Sequence, residues 1–267
     1  MNILILGGTS DARKVVAGLE QHGIVHAQSS CRVIYSVAGL VRIPKLPCEV
    51  ISGGFTQYGG LAAYLQQEKI KLVVDITHPF AAKMSTTAVD VCRQLKLPCW
   101  RFHREAWQAQ SGDQWHLFKD MAALVSAAKD YRSVLLTAGQ LSQSVVDQFA
   151  QYTHLYGQQQ VLRTAAPAQA KLPSGMTWLK AIGPFNHQDE YEVLKAHHID
   201  LLVSKNSGGS ATEAKLSAAR ELGIPVFMLE RPSLPNADKT YRSIESCVSA
   251  IAAFVSARQS THNDQSK

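Results

Sequence analysis

Asn2-Ile3-Leu4-Ile5-Leu6 runs directly into Gly7-Gly8-Thr9-Ser10, and a helical pattern opens at Asp11. Ile3 to Leu6 is an unbroken apolar run, as a strand buried on both faces requires. The two glycines permit a tight turn and close backbone approach. A helix that starts behind such a turn presents unpaired N–H groups and the positive end of its dipole, an arrangement that suits a phosphate. The run departs from the G-x-G-x-x-G fingerprint, so a plain strand-to-helix turn stays open beside the nucleotide reading.

A second junction of the same kind lies roughly two hundred residues later. Asp200 to Val203 reads as a strand, Ser204-Lys205-Asn206-Ser207-Gly208-Gly209 as its turn, and a helix follows from about Ala211. Lysine, amide and hydroxyl meet on that turn, which points to a second anionic molecule. Ser210 with Glu213 fits a capping box, and Gly223 followed by Pro225 fits a helix stop.

Between these junctions the chain alternates. Strand-like runs at Arg32–Val37, Glu49–Ile51, Leu72–Ile76 and Cys99–Phe102 are separated by helical spacing at Ala12/Val15/Val16/Leu19, Tyr58/Leu61/Ala62/Leu65 and Phe80/Met84/Ala88/Val91/Leu95. This predicts an α/β protein with mainly parallel sheets. Residues 106–116 are polar and read as a linker. Beyond them a helix at Asp120–Lys129, a strand at Ser133–Thr137 and helices at Leu141–Phe149, Asp189–His197 and Ser243–Ala257 repeat the pattern. The expectation is two Rossmann-like domains, residues 1–108 and 109–257, with an interdomain cleft and a disordered tail at 258–267.

The chain has 267 residues, 46% hydrophobic and 18% charged, with a formal charge of +6. That is ordinary for a globular protein. It has no dense Lys/Arg block, which argues against nucleic acid. No apolar run approaches the roughly 20 residues that span a bilayer, and the start goes straight into a strand rather than a signal peptide. Five cysteines without a C-x-x-C pair read as reduced thiols, not a metal site, so a cytoplasmic protein without metal is expected.

An acidic residue at the end of the second strand would grip ribose hydroxyls and repel a 2′-phosphate. Here the strand ends Tyr35-Ser36-Val37-Ala38-Gly39, with Arg13, Lys14 and Arg42 as nearby cations. NADPH is therefore the expected cofactor. Asp75-Ile76-Thr77-His78-Pro79-Phe80 lies at the carboxyl end of a strand. Thr77 can cap the next helix, Pro79 suits its first turn, and His78 is either a proton or hydrogen-bond donor or a locally satisfied histidine.

In order and spacing, Ile5–Ser10, Ser36–Gly39, Gly53-Gly54-Phe55, Asp75–Ala82, Gly183-Pro184-Phe185, Lys205–Gly209 and Thr212-Glu213-Ala214-Lys215 resemble the precorrin-6A reductase family of cobalamin biosynthesis, including its cobalt-precorrin form. The resemblance covers nearly the whole chain. It implies NADPH-dependent reduction of a carbon–carbon double bond in an anionic tetrapyrrole, giving the 6B form, with other enzymes of the pathway as further partners. It also implies that Gly7, Gly8, Thr9, Ser10, Arg13, Ala38, Gly39 and Thr77 hold the cofactor. His78, Phe80, Thr137, Gly139, Lys205, Asn206, Ser207 and Gly208 would face the substrate, with His78 as candidate catalytic residue. Arg104 and Arg163 are further candidate anchors. Relatives often carry arginine where this chain has Gln140. A non-catalytic carrier of an anionic ligand, or a nucleotide-dependent transferase, remain the alternative readings.

Overall fold

The computed structural model describes residues 1–26, 29–38 and 43–263, with side chains to 259. In chain order the first elements are β1 (Asn2–Leu6), α1 (Ser10–Gln21), β2 (Arg32–Val37), β3 (Glu49–Ser52), α2 (Leu61–Gln67), β4 (Ile70–Asp75), α3 (Ala82–Gln94) and β5 (Cys99–Phe102). There follow β6 (Trp115–Phe118), α4 (Met121–Ala127), β7 (Ser133–Leu136), α5 (Gln143–Tyr156), β8 (Gln159–Thr164), β9 (Met176–Lys180), α6 (His187–Ala196), β10 (Leu201–Lys205), α7 (Ala214–Glu221) and β11 (Val226–Leu229). The chain closes with β12 (Lys239–Tyr241) and α8 (Ile244–Asn263).

The chain forms two compact units, Met1–Glu105 with Ser233–Lys267, and Ala106–Pro232. Each holds one six-stranded sheet, ordered β12-β5-β4-β1-β2-β3 in the first and β6-β11-β10-β7-β8-β9 in the second. All the pairings within them are parallel. The α/β architecture with two parallel sheets is the one expected. In each sheet the strand order reverses once, at β1/β4 and at β7/β10, and the carboxyl ends there are where open α/β sheets bind ligands.

The boundaries differ from expectation. Residues 233 onward do not close the second unit but complete the first: β12 pairs with β5, and α8 lays Cys247, Val248, Ile251 and Val255 on the core formed with Ala12, Val15, Val16 and Leu19 of α1. Burying such side chains contributes about 1.5–3 kcal/mol each. Gly18 lets the two helices approach, since a Cβ there would lie 2.7 Å from a Val248 methyl. The other face of the first sheet is covered by α2 and α3. Residues 258–263, expected as tail, continue α8. Local amphipathicity marks a helix but not the sheet face it covers.

Candidate functional site

In the first unit, two turns meet at the carboxyl ends of β1 and β4. Thr9 is the N-cap of α1: its Oγ1 accepts the Ala12 N–H (3.1 Å) and donates to Ile76 O (2.8 Å), tying the glycine turn to the turn after β4. Thr9 is buried, so it offers a ligand its backbone rather than its hydroxyl. Gly7 and Gly8 rest on Tyr35, which is fully buried. A Cβ at Gly7 would overlap the phenol ring, and Gly8 N–H donates to Tyr35 Oη (2.9 Å). Gly8 is left-handed (φ 99°) and exposed, with open space where a Cβ would stand. The glycines thus form a shallow backbone cradle whose remaining donors are the first amides of α1. Burial pushes the Tyr35 phenol above its usual value, with the Arg13 charge opposing that shift. Arg13 and Ala38 are exposed, Ser10 is half-buried, and Gly39 lies outside the described residues, as does Arg42.

Arg104 is not a free anchor. Its Nη1 lies 2.7 Å from Asp11 Oδ2 in the first turn of α1, where it cancels a carboxylate that would repel an anion. Thr77 does not cap α3, which begins at Ala82 without a side-chain cap. Its N–H and hydroxyl both donate to Asp75 Oδ1 (3.1 and 2.7 Å). Asp75 Oδ2 takes Arg101 Nε–H (3.1 Å), and Arg101 Nη1 reaches Pro235 O (2.8 Å). His78 Nδ1 accepts the Phe80 N–H (3.2 Å), so the neutral ring carries its proton on Nε2. Phe80, with Phe55, Leu61 and Met84, lines an apolar cavity of about 600 Å³ beside this turn.

In the second unit the turns after β7 and β10 meet in the same way. Thr137 spends both N–H and Oγ1–H on Val203 O (2.9 and 2.7 Å). Gly139 is left-handed (φ 78°), and a Cβ there would stand 3.8 Å from Lys205 Nζ. Burial pulls the Lys205 ammonium below its usual value, a cost an anionic ligand would offset. Gln140 is a staple: its Nε2 donates to Pro167 O (3.0 Å) and its Oε1 accepts Gln169 N–H (3.0 Å).

The Lys205–Gly209 turn is held from behind. Asn206 spends its amide on Trp107, accepting the backbone N–H (2.9 Å) and donating to the carbonyl (3.1 Å), so it orders the turn rather than facing a ligand. Arg231 donates to Asn206 O (2.8 Å) and Ser207 O (3.0 Å). Ser207 Oγ lies within reach of Lys205 O (3.4 Å), while Gly208 and Gly209 are both left-handed (φ 66° and 80°). The expected capping box does not form, because residues 210–212 make a 3₁₀ turn and α7 starts at Ala214 without a side-chain cap. Arg163 is withdrawn from any substrate role. It is buried, paired with Glu190 (2.6 Å) and stacked over Phe185 (4.5 Å). Tyr35, Trp107 and Arg231 were not marked by the sequence, since each acts through a tertiary bond rather than a local motif.

Residues 2–252 match the family model described as "Precorrin-6x reductase CbiJ/CobK". The chain belongs to this family. Precorrin-6A reductase of Rhodococcus erythropolis is 39% identical over 254 residues, covering 94% of this chain and 98% of that one. The Rhodobacter capsulatus precorrin-6A reductase is 37% identical, covering 88% and 90%. Cobalt-precorrin-6A reductase of Priestia megaterium is 25% identical, covering 93% and 97%. A solved structure titled CobK precorrin-6A reductase superposes with a TM-score of 0.81 at 33% identity, covering 95% and 96%. This member of the reductase family is an oxidoreductase, and a reductase of this kind implies a nicotinamide cofactor. Among the described residues no His/Cys/Asp/Glu group could hold a metal, and no helix is long and apolar enough to cross a membrane.

Proposed function

We propose that this protein uses NADPH to reduce a carbon–carbon double bond of precorrin-6A, giving precorrin-6B. The observation that carries the reading is the 39% identity to the Rhodococcus enzyme over nearly both full lengths. The higher identity to precorrin-6A reductases than to the Priestia cobalt-precorrin enzyme favours the metal-free macrocycle.

The residues fit the cofactor. The turn over Tyr35 has the open, side-chain-free face a pyrophosphate needs, and Ser10 and Asp11 contribute first-turn amides. Val37 and Ala38 at the end of β2 bring no carboxylate against a 2′-phosphate, and Arg13 supplies a nearby cation. When bound, NADPH supplies a hydride. The chain's own residues then orient and protonate. Lys205 and the amides of the following turn hold a carboxylate arm, each charge-assisted contact contributing about 1.5–3 kcal/mol. The cavity lined by Phe55, Leu61, Phe80 and Met84 offers a carbon face to a flat ring. His78 Nε2–H is placed to hold an arm; giving a proton to the reduced carbon takes the imidazolium form, in which Nδ1 no longer accepts the Phe80 N–H. Four of the five free thiols are buried, which suits a reducing compartment, and we place the reaction in the cytoplasm, beside the other enzymes of the pathway.

An anaerobic assay of the purified protein with NADPH and each form of the macrocycle tests this. Loss of NADPH absorbance with precorrin-6A, faster than with its cobalt form and faster than with NADH, is expected. Binding of the macrocycle without NADPH oxidation would make the protein a carrier.

A further inference from the structure

One residue, Trp107, holds the Lys205–Gly209 turn at two places, by its backbone at Asn206 and by its indole at Gly209. The Trp107 backbone pairs with the Asn206 amide, and Trp107 Nε1–H donates to Gly209 O at 3.1 Å. The indole lies against Lys215 on α7, whose Nζ is 5.5 Å from the ring centroid. Lys215 is only 4% exposed. The charges acting on it come from Arg163 on β8 and Glu190 on α6, themselves an ion pair with 7% and 1% exposure. Glu190 Oε2 is buried with no hydrogen-bond partner. A buried lysine near a buried Arg–Glu pair, with one carboxylate oxygen left unpartnered, is a costly arrangement that well-packed apolar side chains would often match in stability. The fold alone does not call for it. Lys215 also ends the run Thr212-Glu213-Ala214-Lys215, which neither glycine turn accounts for.

We propose that Trp107 and Lys215 are positioning residues for the substrate: the buried Lys215 side chain backs the indole, and the indole sets the turn that carries Lys205. This rests on the reading that the Lys205 turn holds an anionic arm of the tetrapyrrole. Neither residue touches the ligand; each acts through Gly209 and Asn206. Their loss should therefore weaken the grip on the macrocycle and spare the nucleotide turn.

Trp107→Phe keeps an aromatic face for Lys215 and removes only the Nε1–H bond to Gly209. Hydrogen exchange of the ligand-free, full-length protein reads the turn directly. Amides of residues 206–211 should exchange about tenfold faster in the variant, the scale of one lost hydrogen bond. In steady-state kinetics the KM for precorrin-6A should rise about tenfold, with the KM for NADPH and kcat within about threefold of wild type. Lys215→Met should give the same pattern, and it decides the matter if Trp107→Phe does not fold. Unchanged exchange in this segment in both variants would overturn the proposal, and so would faster exchange with an unchanged precorrin-6A KM, or an equal rise in both KM values. Wild-type protein that leaves NADPH unoxidised would remove the functional reading instead, and the exchange data would still decide whether the indole holds the turn.

Discussion

The phenol of Tyr35 lies directly under Gly7: a Cβ added at Gly7 would stand 2.2 Å from Tyr35 Cζ, and Tyr35 Oη accepts the neighbouring Gly8 N–H at 2.9 Å. The glycine turn is thus shaped by a side chain on β2, twenty-eight positions further along the chain.

Tyr35→Phe removes that acceptor and leaves the ring. NADPH binding should weaken about three- to tenfold, from one hydrogen bond of about 0.5–1.5 kcal/mol. Gly7→Ala should do far worse, because its methyl has no room. Fluorescence titration of NADPH checks both; a Tyr35→Phe protein that binds as wild type would show the hydroxyl to be idle.

Arg104 neutralises Asp11 at the start of α1. Arg104→Met should leave a bare carboxylate in the first turn of α1, where we propose the cofactor phosphate binds, and raise the NADPH dissociation constant by roughly two- to twentyfold. Adding Asp11→Asn should restore most of the loss. A double variant as weak as the single one would mean that Arg104 acts on the cofactor by another route.

Lys205→Ala should raise the KM for precorrin-6A by roughly ten- to a hundredfold, the scale of a charge-assisted contact, and change the KM for NADPH little. The reverse pattern would assign Lys205 to the cofactor.

Lys215 makes stability depend on pH. Burial first, and then the Arg163 charge, bring its ammonium down to about 7 from 10.5, against the opposing pull of Glu190. Below pH 7 both folded and unfolded chains hold the proton, and the cost of burying it is constant and largest. Between about 7 and 10.5 the unfolded chain holds more protons, so stability rises with pH, by at most about 1.4 kcal/mol per unit. Lys215→Met should remove that rise and gain most at pH 6. Urea titrations from pH 6 to 9 measure it, and parallel curves for the two proteins would refute it.

The first unit was largely legible because β1 to β5 are apolar runs bounded by glycine or polar turns. β8 was not. Gln160 is buried in it and Gln158 just before it, with Gln158 Nε2 bonded to Ala128 O and Tyr131 O and Gln160 Nε2 bonded to Phe149 O and Gln158 Oε1. Hydropathy scores such residues as surface, yet hydrogen bonding lets them enter a core. β6 and β9 are edge strands with exposed side chains, and β12 has three residues, so period-2 alternation had little to act on. The site divides similarly. Gly7, Gly8, Lys205 and Gly208 announce themselves by residue type and spacing. Thr77, Thr137 and Asn206 were read as ligand-facing, but their polar groups are spent on Asp75, Val203 and Trp107. For Thr137 and Asn206 only tertiary pairing reveals that, whereas the Thr77–Asp75 bond is local, two residues apart.

The return of residues 233 onward to the first unit has a consequence during synthesis. A nascent chain that has emerged through residue 232 carries every strand of the second sheet but lacks β12 and α8. The lobe begun first must therefore wait, with α1 bare on one flank, while the lobe begun second can already close. Translation order and completion order run opposite in this molecule, and a ribosome stalled while residues 233–267 are being made would strand the first unit half built.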